Sequence, residues 1–342
     1  MKHIVFLLIG LAACLPETEP ADRCLPIADE RSWENSLRSR GITLLGEPVH
    51  AGVDIIAAVG EVTLLEAKFA YGPTSADLEG ERVAVFVETA ECEWASVGEH
   101  LTDTDGRVHA EFDSAGLAEG SYRVRFVVLG DLSETEARLH VIRPSAPIVV
   151  FDLDGTLTTS DVELVDGIVL HHVGATSDEI YDLAGSPLTR AQWVGALDML
   201  LEEDAEAYEG AASVVHYYDQ LGVQPIYITG RPYLYDGLTR RWLEDHALPA
   251  GPLVMVQDVL ESLPANVGGF KTRLLGQLQA RGHTIVAAYG NATTDVCAYE
   301  AAGVPAESTF IVGPHAGEGC VTSTNTPTVA VNSYVEHLES LR

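Results

Sequence analysis

Positive charge is what this chain of 342 residues has least of: 20 Lys and Arg stand against 51 Asp and Glu, a formal net charge of −31 at pH 7. That balance excludes a nucleic-acid partner, because a phosphate backbone is held by basic surface. It also works against approach to anionic lipid, although acid-rich surfaces are general in salt-adapted organisms and then carry no functional message. Cysteine is scarce, with five residues and no Cys-x-x-Cys spacing, which argues against a cysteine-held metal. No internal repeat or low-complexity tract stands out. After the first ten residues no long apolar run appears, so the sequence predicts a chain that does not span a bilayer.

The informative stretch is Ile148-Val149-Val150-Phe151 followed by Asp152-Leu153-Asp154-Gly155-Thr156. A fully apolar run reads as a buried parallel strand, and in an open α/β sheet ligands bind just beyond the carboxyl ends of the strands, where Asp152 and Asp154 project. Two acids this close repel unless a cation lies between them, and Mg²⁺, a hard ion with oxygen ligands, suits them and brings phosphate with it. A carboxylate presented to such a phosphate can attack phosphorus and form an aspartyl-phosphate. Three more buried strands follow. Pro225–Ile228 ends in Thr229-Gly230-Arg231-Pro232, a hydroxyl with backbone N–H groups suited to a phosphoryl oxygen. Lys271 supplies a cation for the charge that develops in the transition state. Ile285–Tyr289 leads into Gly290-Asn291-Ala292-Thr293-Thr294-Asp295, and Thr309–Val312 is expected to close the sheet.

D-x-D-G-T at a strand end resembles the first motif of the haloacid dehalogenase (HAD) superfamily, and residues 290–295 resemble its fourth motif, G-D-x-x-x-D, with Asn291 in place of the first acid. Within that superfamily, Tyr227–Pro232, Trp242-Leu243, His246–Gly251, Ala287–Asn291 and Thr294–Tyr299 look like the lipin-type phosphatase domain. The nearest form is the C-terminal domain of the membrane-associated phosphatidylinositol transfer proteins. The likeness continues upstream through Lys68–Pro73, Asp77–Glu79, Thr102-Asp103, Gly106–Val108 and Gly120–Val124, so it covers roughly residues 45–315. Lipins dephosphorylate phosphatidic acid with Mg²⁺; the transfer-protein relatives generally lack the nucleophilic aspartate and are regarded as phosphatidic-acid-binding modules. The resemblance thus implies Asp152 as nucleophile and Asp154 as general acid and base. Thr229, Gly230 and Lys271 would bind the phosphate. The metal would be held by Asp152, the Asp154 main-chain carbonyl and Asn291, an amide that lipins also carry there, with Asp295 orienting a metal-bound water. Asp152 and Asp154 are both present, which favours a Mg²⁺-dependent phosphatase for phosphatidic acid or a related phospholipid monoester. A non-catalytic phospholipid-binding module and a phosphatase for soluble phosphomonoesters are the alternatives.

Met1-Lys2-His3, the apolar Ile4–Gly10 and Leu11-Ala12-Ala13-Cys14 read as a signal peptide ending in a bacterial lipobox. The expectation is a diacylated Cys14 and an extracytoplasmic, membrane-anchored lipoprotein of the cell envelope; ordinary cleavage with a plain Cys14 thiol is the alternative. Four cysteines remain. In an oxidising compartment they pair as Cys24 with Cys92 and Cys297 with Cys320, or stay as isolated thiols.

Length allows about two domains. Residues 15–42 read as a stalk, and 43–144 as an all-β sandwich of immunoglobulin-like type with Asp105-Gly106 as a hairpin turn and Phe86 and Trp94 in its core. From 145 to 315 strands alternate with helices as in a doubly wound α/β sheet, with an insertion at about 160–208 as a flap or small cap. Within it His171-His172 are surface residues, since adjacent side chains do not face one point. Residues 316–342 are a Thr/Asn-rich tail with a short helix. The sandwich is expected to hold the mouth of the site toward the bilayer and to contribute no chemistry.

Overall fold

The computed structural model describes residues 24–72, 75–159, 205–257 and 264–342. Cys14 with its leader, His171-His172 and the insertion up to residue 204 lie outside the described residues.

The short β-branched runs form strands that face each other in two sheets. In chain order these are β1 (Ala51–Val53), β2 (Ile55–Ala57), β3 (Val62–Lys68), β4 (Ala70–Tyr71), β5 (Ala76–Asp77), β6 (Arg82–Ala90), β7 (Glu93–Leu101), β8 (Arg107–Asp113), β9 (Gly120–Val128) and β10 (Glu134–Val141). One sheet has the order β1-β3-β8, the other β2-β10-β9-β6-β7, and β4 and β5 make a separate small hairpin. Alternate residues such as Leu65, Val83, Val85, Val124 and Phe126 point inward and are fully buried, each worth about 1.5–3 kcal/mol. Phe86 and Trp94 fall on the opposite parity: both are half-buried outside that core, and the Arg123 guanidinium lies 5.4 Å from the Trp94 ring. Asp105-Gly106 does not close a hairpin either. It joins β7 to β8, which belong to different sheets, so the turn crosses the sandwich. Gly106 is needed there twice over, at φ 66° and with its carbonyl 2.8 Å from the Phe69 N–H, where a Cβ would strike the Phe69 carbonyl.

The predicted stalk is part of the body from Cys24 onward. A disulfide joins Cys24 to Cys92, Trp33 packs on the sandwich core, and α1 (Ser36–Thr43) is docked through the buried Glu81 carboxylate. Glu81 accepts from the N–H groups of Glu34 and Asn35 and from the Ser39 hydroxyl.

The second domain is a single six-stranded sheet, all parallel. Its strands are β11 (Pro147–Asp152), β12 (Gln224–Pro232), β13 (Leu253–Val256), β14 (Thr284–Gly290), β15 (Thr309–Val312) and β16 (Val329–Val331), in the order β13-β12-β11-β14-β15-β16. The chain therefore reverses its direction of winding between β11 and β14, the topological switch point at which such sheets bind ligands. Helices cover both faces: α2 (Ala211–Gln220), α3 (Asp236–Asp245) and α6 (Tyr334–Leu341) on one, α4 (Pro264–Ala280) and α5 (Thr293–Ala301) on the other. The tail is not outside this domain. β16 extends the sheet past the expected last strand, and Tyr334 of α6 enters the core.

Asp54 joins the domains. Its carboxylate has no exposed surface and accepts from the N–H groups of Arg138 and, across the junction, Leu253; Arg240 of α3 pairs with it at 2.9 Å. Burial raises the Asp54 pKa, but Arg240 and His140 outweigh it and hold the carboxyl well below the ordinary range.

Candidate active site

Strand parity places the first carboxylate. Val149 and Phe151 point to the α2/α3/α6 side, and Ile148 and Val150 to the α4/α5 side. Asp152 continues the even series and so faces α4, which carries Lys271, and α5, which carries Asp295. The Lys271 Nζ donates to Asp152 Oδ1 at 2.6 Å and to Asp295 Oδ1 at 2.5 Å, and all three side chains are buried. Burial lowers the Lys271 pKa, but the two carboxylates outweigh it and the net shift is upward. Burial above all pushes Asp152 upward, with Asp295 and Asp154 adding to it against the pull of Lys271.

Asp295 reaches back over the β14–α5 turn, where its Oδ2 accepts from the N–H groups of Asn291 and Ala292, both at 3.0 Å. Gly290 permits this, since a Cβ there would lie 2.5 Å from that of Asp295. Both Asp295 oxygens are thus engaged by Lys271 and the turn, which makes Asp295 the residue that positions Lys271 and Asn291. Thr156, in the turn after β11, donates to Asp152 Oδ2 at 3.1 Å with its Oγ1 3.4 Å from Asn291 Oδ1. One carboxylate oxygen and one amide oxygen therefore converge at the switch point.

Asp154 is held from the other side. Its Oδ1 accepts from Arg231 Nε at 2.8 Å and Nη2 at 2.6 Å, and its Oδ2 from the Thr229 hydroxyl at 2.7 Å. Thr229 Oγ1 also accepts the Arg231 N–H at 3.0 Å, so motif I and the end of β12 are tied into one buried unit. The structure brings together Asp152, Lys271, Asn291 and Asp295 in one cluster and Asp154, Thr229 and Arg231 in a second beside it. The Thr229 hydroxyl proton goes to Asp154, and Gly230 sits between two residues of that unit.

Arg231 has no role in the reading of the sequence, although its position directly after Thr-Gly at a strand end was the available signal. Thr156 was visible as the last residue of D-x-D-G-T. Tyr334, whose hydroxyl donates to the Thr156 carbonyl at 2.9 Å, had no sequence signal. Further out, the second disulfide joins Cys297 of α5 to Cys320.

Among the described residues no three His, Cys, Asp or Glu side chains form a metal cluster. The oxygen donors that Thr156 brings together, Asp152 and Asn291, are hard and suit Mg²⁺, and the Asp154 main chain follows Asp152 two residues further on. Three carboxylates against two cations leave these two clusters with one formal negative charge in excess, which a divalent cation reverses and a phosphate group then balances.

Residues 187–313 match the family model described as PITM 1-3, LNS2 domain, and residues 48–141 match PITM 1-3, beta-sandwich domain. The first match begins after Asp152 and Asp154. The chain is 30% identical over 298 residues to protein retinal degeneration B of Drosophila melanogaster, covering 86% of this chain and 20% of that protein. It is 28% identical over 306 residues to membrane-associated phosphatidylinositol transfer protein 1 of Rattus norvegicus, covering 87% and 21%. It thus spans about a fifth of the length of these curated relatives. Among solved structures, a HAD family hydrolase from Deinococcus radiodurans with bound phosphate and sodium aligns at 18% identity and a TM-score of 0.35, over 58% of this chain and 96% of that one. In both of its domains, then, the chain is similar to the β-sandwich and LNS2 domains of the PITM 1-3 proteins.

Proposed function

We propose that the chain is a Mg²⁺-dependent phosphatase that works through an aspartyl-phosphate on Asp152, with phosphatidic acid or a related phospholipid monoester as substrate. The observation that carries this is the buried Asp152–Lys271–Asp295 chain at the switch point, which fixes one Asp152 oxygen on a cation and leaves the other on the Thr156 hydroxyl, which also reaches Asn291. Asp154 first takes up a proton from solvent as it leaves Arg231; the Asp152 carboxylate then attacks phosphorus, the bond to the lipid oxygen breaks, and the protonated Asp154 gives that oxygen its proton. Asp154 then takes a proton from water as the water attacks the acyl phosphate, which releases inorganic phosphate and restores Asp152. To reach the leaving oxygen Asp154 must loosen its hold on Arg231. Asp152, the Asp154 carbonyl and Asn291 would hold Mg²⁺, which when bound supplies positive charge against the phosphate. The similarity to phosphatidylinositol transfer proteins supports a lipid substrate. Release of inorganic phosphate from dispersed phosphatidic acid and from soluble phosphomonoesters, with Mg²⁺ or with EDTA, tests the reading; turnover that survives exhaustive chelation removes the metal.

A second reading, a phospholipid-binding module without turnover, is favoured by one observation: both Asp154 oxygens are already engaged by Arg231 and Thr229. Phosphatidic acid binding without phosphate release would select it. We also propose that a lipid on Cys14 anchors the chain to a cell-envelope membrane; mass spectrometry of the mature N-terminus checks this.

A further inference from the structure

The helix α6 lies in the tail, past every motif of the sequence, yet it bonds to both strand-end segments that carry the converging oxygens. Its first residue, Tyr334, is 2% exposed and donates its hydroxyl to the Thr156 carbonyl at 2.9 Å, in the turn that follows Asp152. One helical turn on, His337 Nε2 hydrogen-bonds the Tyr289 hydroxyl at 2.8 Å, and Tyr289 stands directly before Gly290 and Asn291. The rings of Tyr334 and Tyr289 stack at 6.3 Å between centroids. Ser333 caps the helix by accepting the Glu336 N–H. Cap, stack and buried bond together fix Tyr334 relative to the sheet.

Thr156 carries that hold to the chemistry. It is fully buried, and one side of its turn closes on its own backbone. The N–H groups of Thr156, Leu157 and Thr158 all donate to the Leu153 carbonyl, at 3.2, 2.8 and 3.0 Å, and Gly155 takes φ 64° to allow it. The carbonyl side of the turn closes on Tyr334. Between these two restraints the Thr156 hydroxyl donates to Asp152 Oδ2 at 3.1 Å and lies 3.4 Å from Asn291 Oδ1. A hydroxyl has one proton for these two acceptors, and their distances are close enough that a small shift of the Thr156 backbone changes which it serves. Lys271 already holds Asp152 Oδ1, so the Thr156 bond sets the rotation of the carboxylate about its last single bond.

The geometry points to Tyr334 as a positioning residue for the reaction. Through the Thr156 carbonyl it sets the Thr156 hydroxyl, and with it Asp152 Oδ2 and the Asn291 amide oxygen, in place for attack on phosphorus and for holding Mg²⁺. The single phenol proton is engaged by the main chain, so the effect of Tyr334 on Asp152 passes through Thr156. The inference rests on the phosphatase reading of Asp152, and it gives the tail helix a part in the site.

The test is a double-mutant cycle in the full chain between Tyr334→Phe and Thr156→Val, read by phosphate release from dispersed phosphatidic acid, by calorimetric titration with Mg²⁺, and by melting. Tyr334→Phe removes the hydroxyl and keeps the ring. It should lower kcat about ten- to a hundredfold at little change in KM, the cost of a misplaced reacting group, and weaken Mg²⁺ binding. Thr156→Val should do at least as much. Adding Tyr334→Phe to Thr156→Val should change kcat and Mg²⁺ affinity by no more than about twofold further. The losses in melting temperature should instead add, because the Tyr334 bond is to a main-chain carbonyl that valine keeps. Tyr217→Phe, which takes a hydroxyl from the Leu341 carbonyl at the far end of α6, should lower the melt and spare both kcat and Mg²⁺ affinity. Turnover with additive kcat losses, or a Tyr334→Phe chain with wild-type kcat and Mg²⁺ affinity, overturns the inference and leaves the phosphatase reading intact. Mg²⁺ binding that shows the non-additive cycle in a chain without turnover sinks the phosphatase reading and supports the positioning role at the metal site. A wild-type chain with neither turnover nor Mg²⁺ binding overturns both.

Discussion

Replacing Lys271 by methionine keeps the length of the side chain and removes its charge. The ammonium group lies within 2.6 Å of Asp152 Oδ1 and at 2.5 Å from Asp295 Oδ1, and nothing in this cluster faces solvent. Without it two carboxylates confront each other in a desolvated site, and taking one partner out of a buried ion pair costs about 3–5 kcal/mol. For a domain of this size each kcal/mol moves the midpoint by about 2–4 °C, so Lys271→Met should melt roughly 6–20 °C below the wild type. Differential scanning calorimetry in EDTA reads this directly, since no bound cation can then compensate. The cluster needs its charge, and so Lys271→Arg should recover part of the loss where Lys271→Met does not. A Lys271→Met protein that melts within a degree or two of the wild type would refute the reasoning, because the two carboxylates would not be held together by that ammonium group.

Three further outcomes follow from other parts of the structure. Asp54→Ala removes the acceptor for two backbone N–H groups and the partner of Arg240, so it should cost about 3–5 kcal/mol and split the melt into two transitions; a single unshifted transition would count against Asp54 as the link between domains. The His50 pKa is lowered to about 4, by burial first, against the opposing pull of Asp131; the Ala70 N–H donates to Nδ1 and so also requires the neutral ring. A folded pKa below the unfolded 6.5 means that the neutral ring is the stabilised form. Stability is then complete above about 6.5 and is lost as pH falls toward 4, by about 2–3 kcal/mol; urea titrations of wild type and His50→Asn should converge at low pH, and parallel curves would remove His50 as the cause. Asn291→Asp adds a charge beside Asp152 and should lower the Mg²⁺ concentration needed for half-maximal activity, whereas an unchanged Mg²⁺ dependence would exclude Asn291 as a ligand.

The parts of this fold that the sequence displays are those where burial is complete. Ile148–Phe151 and Ile285–Tyr289 read as strands because both faces of a doubly wound sheet are covered, so no polar residue interrupts them before the chemistry at their ends. Asp152, Asn291 and Asp295 were legible because they follow those apolar runs at motif spacing, whereas Lys271, inside α4, was read only as part of the motif set. The structure pairs the four cysteines as Cys24–Cys92 and Cys297–Cys320, the arrangement expected from their positions in the two domains. What local pattern hides is the partner across the fold. The hold of Arg231 on Asp154 spans 77 residues of sequence, and nothing in Thr-Gly-Arg-Pro says that the guanidinium turns inward. The Asp105-Gly106 turn has hairpin chemistry, yet Phe69 fixes it as a crossing between sheets. Val329–Val331 is too short to stand out from a Thr/Asn-rich tail and becomes a strand because β15 offers it an edge. Residues 24–42 fell in the expected stalk because that segment, 15–42, begins polar and rich in Pro and Glu. They are held by a disulfide, by Trp33 on the sandwich core and by polar bonds to Glu81, none of which hydrophobic periodicity registers.

The central claim is that Asp152 is a nucleophile, and the most direct measurement is phosphate release from phosphatidic acid in Mg²⁺ by the wild-type chain beside Asp152→Asn. The amide keeps the shape of the side chain and removes its ability to form the acyl phosphate. The account predicts turnover by the wild type and a loss of several orders of magnitude in the variant, well beyond the roughly 10²–10⁴-fold expected for Asp154→Asn as a general acid and base. Near-normal release by Asp152→Asn, or a wild-type chain that binds phosphatidic acid and releases no phosphate, would contradict it.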